Sequence, residues 1–133
     1  MRMFLALVLL SFAQGAAAET ASPLTPREAQ RLEKALAGKV PGTPVNCVPR
    51  TMLNDLQTIG NGILLYRVGT KLTYRNDLGG QCGGLRSDDI PVFQSFGGSY
   101  CKGDFVRVVD RLSGNLRGSC VLGPFVPYSA PAR

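Results

Sequence analysis

The feature that most narrows what this chain can become is its set of four cysteines, Cys47, Cys82, Cys101 and Cys120, in a sequence with no histidine. Their spacings are 35, 19 and 19 residues and no C-x-x-C pair occurs, so a zinc site is a poor match. An even number of cysteines in a small exported domain reads instead as two disulfides. Four cysteines permit three pairings, and the residues alone do not choose among them. Each bridge would close a long loop and contribute about 2–4 kcal/mol, a large share of the roughly 5–15 kcal/mol that holds a small domain together.

Export is what the N terminus predicts. Arg2 is a short basic region, and Phe4 to Phe12 (FLALVLLSF) is an apolar core of nine residues. Ala16-Ala17-Ala18 is a small-residue cleavage site, placing the cut after Ala18. The alternative, a membrane anchor, asks for about 20 apolar residues, twice what is present. The mature chain from Glu19 then carries fourteen basic and nine acidic residues, a net charge of +5, in the periplasm or outside the cell. There, acidic glycans, anionic lipid headgroups and acidic proteins are available partners, and nucleic acid is not expected. The alternative is that the charge serves solubility alone.

The stretch from Tyr100 to Phe125 organises the rest. Phe105 to Arg111 is too rich in β-branched residues to prefer a helix. Leu112-Ser113-Gly114-Asn115 supplies turn chemistry, and Leu116 to Leu122 returns as a second strand. Upstream, Thr25-Pro26-Arg27-Glu28 is a capping box that opens one helix, about Pro26 to Ala37. Its apolar stripe is Ala29, Leu32 and Leu36, and Gly38 and Pro41 end it. Residues 19–44 are therefore expected to form an N-terminal arm whose helix docks partly on a β domain spanning 45–126. Val45 to Val48 reads as a short edge strand, Asp55 to Ile59 as a strand ending in the Gly60-Asn61-Gly62 turn, and Val92 to Phe96 as another. The proline-bearing end, 127–133, is expected to be a flexible tail.

Ile63 to Val68 and Lys71 to Asn76 read as a hairpin joined at Gly69-Thr70. A two-residue loop sets Leu65 opposite Tyr74 and Arg67 opposite Leu72, which places Ile63, Leu65, Leu72 and Tyr74 on the core face. Leu64, Tyr66, Lys71, Thr73 and Arg75 then lie on a half-apolar, half-basic face, either covered by the helix or free to bind. Short antiparallel strands, one helix and no βαβ alternation predict a small antiparallel sandwich or partly open barrel of five to six strands.

Several chemistries are disfavoured. Without histidine the Ser-His-Asp and Cys-His arrangements are unavailable, and oxidised cysteines offer no thiolate. Asp88 and Asp89 are adjacent and point apart in an extended chain, while Asp104 and Asp110 sit at opposite ends of one strand. No catalytic residue, metal site or cofactor is assigned. The glycine-rich Leu78 to Gly84 loop lacks the phosphate-loop pattern and reads as a loop held by one disulfide. A candidate binding surface remains: Tyr66, Arg75, Arg107, Arg111 and Arg117, with Phe105 and Val109 on the same strand face as Arg107, suited to an acidic partner. The alternative is that arginines merely keep exposed strand faces wet.

Four segments, RLEKALAGKVPGTPVNCVPR, ILLYRVGTKLTYRN, LRSDDI and CKGDFVRVVDRLSG…RGSCVLGPFVPY, cover roughly Arg31 to Tyr128. In their order and character the chain resembles a family of small uncharacterised secreted proteins of sphingomonad-type alphaproteobacteria. That resemblance brings no activity, cofactor or site residue. It implies the pairing of Cys47 with Cys101 and of Cys82 with Cys120. The expected function is a non-catalytic binding or structural role in the cell envelope. Inhibition of a secreted hydrolase is the alternative, and a carboxylate-dependent enzyme the more distant one.

Overall fold

A computed structural model of the protein describes residues 23–80, 82, 85–86 and 88–132. The expected signal segment and its cleavage site lie outside these residues. The described chain is mainly β, with one helix and antiparallel sheets that do not close into a barrel. Cys47 is bonded to Cys101 and Cys82 to Cys120, the pairing that the resemblance implied.

The helix α1 spans Pro26–Ala35. The strands are β1 (Val40–Pro41), β2 (Cys47–Pro49), β3 (Asp55–Ile59), β4 (Ile63–Val68) and β5 (Leu72–Asp77), followed by β6 (Ile90–Gln94), β7 (Ser99–Cys101), β8 (Phe105–Val109), β9 (Leu116–Val121) and β10 (Phe125–Ser129). One sheet runs β1-β10-β5-β4-β3, a second runs β6-β8-β9, and β2 pairs with β7 alone. The expected edge strand at Val45 to Val48 appears as β2, Cys47–Pro49, and the strands beyond expectation are β1 and β7, of two and three residues, and β10.

The main core lies where the two larger sheets face each other. Leu64 and Tyr66 from β4, Val106 and Val108 from β8, Cys120 from β9, and Val48, Leu122 and Phe125 form one buried cluster. Tyr74, Phe93 and Tyr100 border it, and the Phe93 and Tyr100 rings stand 4.9 Å apart. The opposite face of the first sheet carries Ile59, Ile63 and Leu65, which are covered by Leu24, Leu32, Ala35 and Leu36. The molecule is thus three layers: helix, five-stranded sheet, three-stranded sheet.

The helix begins as its capping box directs. Thr25 N donates to Glu28 Oε2 at 2.8 Å, and Glu28 N donates to Thr25 Oγ1 at 3.3 Å. The Thr25 amide, and after it the Thr25 hydroxyl and the Arg31 charge, hold the Glu28 carboxyl below its ordinary range. Ten residues are marginal as an isolated helix, so packing on β3 and β4 keeps it in place. Ala29, expected in the apolar stripe, is exposed, and Ala35 takes its place beside Leu32 and Leu36.

Two expectations are corrected. The β4–β5 hairpin turns through three residues, Gly69-Thr70-Lys71, with Gly69 at φ +62°. Val68 therefore faces Leu72, Tyr66 faces Tyr74 and Leu65 faces Arg75. A one-residue change in loop length moves every partner to the other face. Ile63 and Leu65 are core residues, but of the helix-side core, whereas Tyr66 and Tyr74 point into the inter-sheet core with Leu64.

The second correction is the tail. Phe125–Ser129 is not loose but forms β10, lodged between β1 and β5. Pro127 is tolerated because the neighbour on its outer side, β1, is only two residues long; its carbonyl still accepts from Gly42 N at 2.7 Å. A buried Asn76 clips the segment in place, donating to Gly123 O at 2.8 Å and accepting from Gly123 N at 2.9 Å. Gly123 must be glycine, because a Cβ there would stand 2.3 Å from Asp77 O.

Candidate functional site

The three-stranded sheet buries one face and leaves the other open. β8 alternates strictly, with Val106 and Val108 buried and Phe105 and Arg107 exposed. Its neighbours extend that open face in three cross-strand rows. Gln94, Phe105 and Val121 form the first, Val92, Arg107 and Ser119 the second, and Ile90, Val109 and Leu116 the third. Six of these nine positions are apolar, and Arg107 at the centre is the one charge.

The openness is large for residues of this kind. Ile90 is 41% exposed, Val92 42%, Phe105 57% and Leu116 62%. Single exposed apolar residues are ordinary, and a contiguous group on one sheet face makes that face the candidate interaction surface. Among the described residues Arg107 has neither a hydrogen bond nor an ion pair. Beyond the strands stand Phe96 and Leu112, at 101% and 96% exposure, in the loop after β6 and the turn after β8 respectively.

The end of the sheet near that turn is rigidly built. Asp110 Oδ1 accepts from Leu112 N at 2.9 Å, Ser113 N at 2.7 Å and Ser113 Oγ at 3.1 Å. Its other oxygen takes Arg117 Nε at 2.9 Å, with Arg117 Nη2 also on it. The Ser113 amide and then the Arg117 guanidinium hold this carboxyl well below the usual carboxylate range, and Asp110 in turn raises the Arg117 pKa. Arg117 also reaches buried Asp89 at 3.5 Å. Arg111 Nε donates to the Asp88 carbonyl at 3.1 Å.

The five predicted surface residues therefore separate. Arg107 lies at the centre of the open face. Arg111 and Arg117 belong to the turn beside it, where Arg117 is committed to two carboxylates. Arg75 is on the helix-side face of β5 and pairs with Asp77 at 3.0 Å. Tyr66 is no surface residue at all: it is 2% exposed, packed against Phe93, Tyr100 and Phe125. Burial pushes its phenol above the ordinary range. The register change of β4 accounts for that reversal.

Ile90, Val92 and Leu116 were not read as site residues. The available signal was the unbroken apolar run Ile90-Pro91-Val92-Phe93, apolar on both sides of a strand, which calls for two covered faces or one that waits for cover. Asp104, weighed as a carboxylate for chemistry, is engaged locally, accepting from Cys101 N at 2.9 Å. Comparison of the chain with protein-family models, with curated proteins and with solved structures returns no match.

Proposed function

We propose that the protein is a non-catalytic binding domain of the cell envelope, exported through a cleaved signal peptide, that docks on an acidic protein through the open face of the three-stranded sheet. The observation that carries this reading is that face itself: six apolar positions around one unpartnered arginine. Aromatic residues and arginine are the usual anchors of a protein interface, and a carboxylate set in an apolar surface is the complement of Arg107.

Two further observations favour face docking on a protein. The free edge of the sheet is β6, and Pro91 removes a backbone donor from it, which discourages pairing by strand addition. The basic residues are concentrated elsewhere: residues 23–77 hold eight Lys/Arg against four Asp/Glu, and residues 78–132 hold five against four. A nearly neutral half is a poor match for an anionic bilayer, where each basic residue near the surface adds about 1 kcal/mol. Formed disulfides are compatible with the exported setting, and no helix among the described residues is long and apolar enough to cross a membrane.

The test is photo-crosslinking in the source cells, with p-benzoylphenylalanine in place of Phe105 and, as control, in place of exposed Gln30 on the helix side. The expected result is one acidic protein joined through position 105 only, with the adduct abolished by Arg107→Glu. Adducts from position 105 to lipid or to a second copy of the chain, or the same protein joined from both positions alike, would reject the reading. A secreted hydrolase as the adduct, with its activity lowered, would turn the binding role into inhibition.

A further inference from the structure

A second site lies on the far side of the molecule, between α1 and the β3–β4 sheet. There an open groove of about 810 Å³ is lined by Arg31, Lys34, Lys39, Gln57, Arg67 and Thr70. With Ala35 and Gly69 the lining is eight residues, four of them cationic. Arg67 is answered by Asp55 at 2.6 Å. Arg31, Lys34 and Lys39 form no ion pair among the described residues. Arg31 and Lys34 are also three apart on one helix, where like charges repel.

Two of the three are held in position by a neutral partner. Lys39 Nζ donates to the hydroxyl of buried Thr73 at 2.9 Å, and Arg31 Nη2 points to the Thr58 carbonyl at 3.4 Å. An ammonium has three donors and a guanidinium five, so each keeps most of its capacity for a ligand. Cations fixed by their own scaffold lose less freedom on binding than free ones.

From this we infer that the groove is an anion site for a ligand bearing phosphate groups. Lys34 and Lys39, together with Arg31, which is shared with the Glu28 carboxylate three residues before it on α1, match a phosphate group, which carries about −1.5 to −2 charge at neutral pH, better than one carboxylate. Arginine supplies the fork and lysine the point charge that phosphate oxygens accept. The cations are spread over α1, the segment after it and β4, which suits more than one phosphate group, either as free oligophosphate or as a phospholipid headgroup array. Arg31 and Gln57 also line a shallow pocket with Ile90 and Pro91 at the end of β6, so Lys34 and Lys39, which do not, are the positions that distinguish this site from the docking face.

The experiment is an amide NMR titration of the oxidised full mature chain with inorganic tripolyphosphate at low salt, paired with flotation on vesicles of phosphatidylglycerol or of phosphatidylcholine alone. Saturable shifts at Arg31, Lys34, Lys39 and Gln57 are expected. Lys34→Glu should weaken binding tenfold or more, Lys34→Gln by less, and Arg107→Glu on the other side should change it less than twofold. Lys34 is exposed and makes no bond, so its variants keep the fold, which the unaltered amide spectrum elsewhere verifies. Flotation with phosphatidylglycerol that is lost in Lys34→Glu identifies a headgroup source; tripolyphosphate binding without flotation identifies a free one. No saturable binding of either probe, or binding equally reduced by Lys34→Glu and Arg107→Glu, overturns the proposal.

Discussion

In the five-stranded sheet, β4 turns Leu64 and Tyr66 to one side and Ile63 and Leu65 to the other, and all four are buried. In the three-stranded sheet, β8 turns Val106 and Val108 inward and leaves Phe105 and Arg107 in solvent. Both sheets offer apolar residues on two faces, but only the first has a third layer, because α1 lies across it. The apolar side chains of the outer face contribute less to folding than those beneath, since Ile90, Val92, Phe105 and Leu116 keep 41–62% of their area in water. On the proposed reading that remainder is for another surface, and it carries a standing risk of non-specific association.

The strongest test of this contrast lies where the sheets meet. Phe125 is fully buried and touches the Tyr66 and Tyr74 rings, at centroid distances of 5.9 and 6.4 Å. Phe125→Ala should cost about 3–5 kcal/mol, read from urea denaturation. A loss below about 1 kcal/mol would mean that the sheets do not share one core.

The two disulfides divide along the same line. Cys82 and Cys120 are 2% and 4% exposed within the inter-sheet core, whereas Cys47 is exposed. Replacing either pair by alanine should cost about 2–4 kcal/mol. A mild reductant followed by alkylation and peptide mass mapping should label Cys47 and Cys101 first. Early labelling of Cys82 and Cys120 would show that the three-stranded sheet opens more readily than its burial implies.

How much of this could be read in the sequence depends on the range of the interactions involved. The capping box at Thr25, the β8–β9 hairpin and the Gly60-Asn61-Gly62 turn are local chemistry, and each appears where the residues place it. The β4–β5 register rested on whether Gly69-Thr70 or Gly69-Thr70-Lys71 makes the turn, a choice decided by packing on both faces. That single residue carried Tyr66 from surface to core. β10 was hidden because Pro124 and Pro127 read as breakers unless the short neighbour β1 is known. Of the binding face, Arg107 and Phe105 were visible on one strand, but Ile90, Val92 and Leu116 joined them only through pairing. The groove shows the same limit: Arg31 and Lys34 are visible on the helix, while Lys39 and Arg67 come to it only in the fold.

On the covered side, Leu32→Ala should cost about 1–2 kcal/mol, less than a fully buried leucine because Leu32 is half-buried. Hydrogen exchange should quicken over residues 26–36 and over β3 and β4, with β8 and β9 unchanged. Faster exchange throughout would show that helix docking and inter-sheet packing are one cooperative unit, and the layers would lose their independence.

The smallest expected effect on stability is the one that decides the comparison. Phe105→Ser removes a large apolar side chain that is 57% exposed in the structure, so it should cost no more than about 1 kcal/mol. The same substitution in a buried strand residue such as Val106 would add a polar group to the core and cost several times more. If Phe105→Ser stays within that limit in denaturation yet removes the crosslinked partner, the apolar character of this face belongs to recognition. If it destabilises the isolated protein by more than about 2 kcal/mol, the face is already covered in solution, by residues outside the described chain or by a second copy. The contrast between the two sheets would then be one of visibility and not of construction.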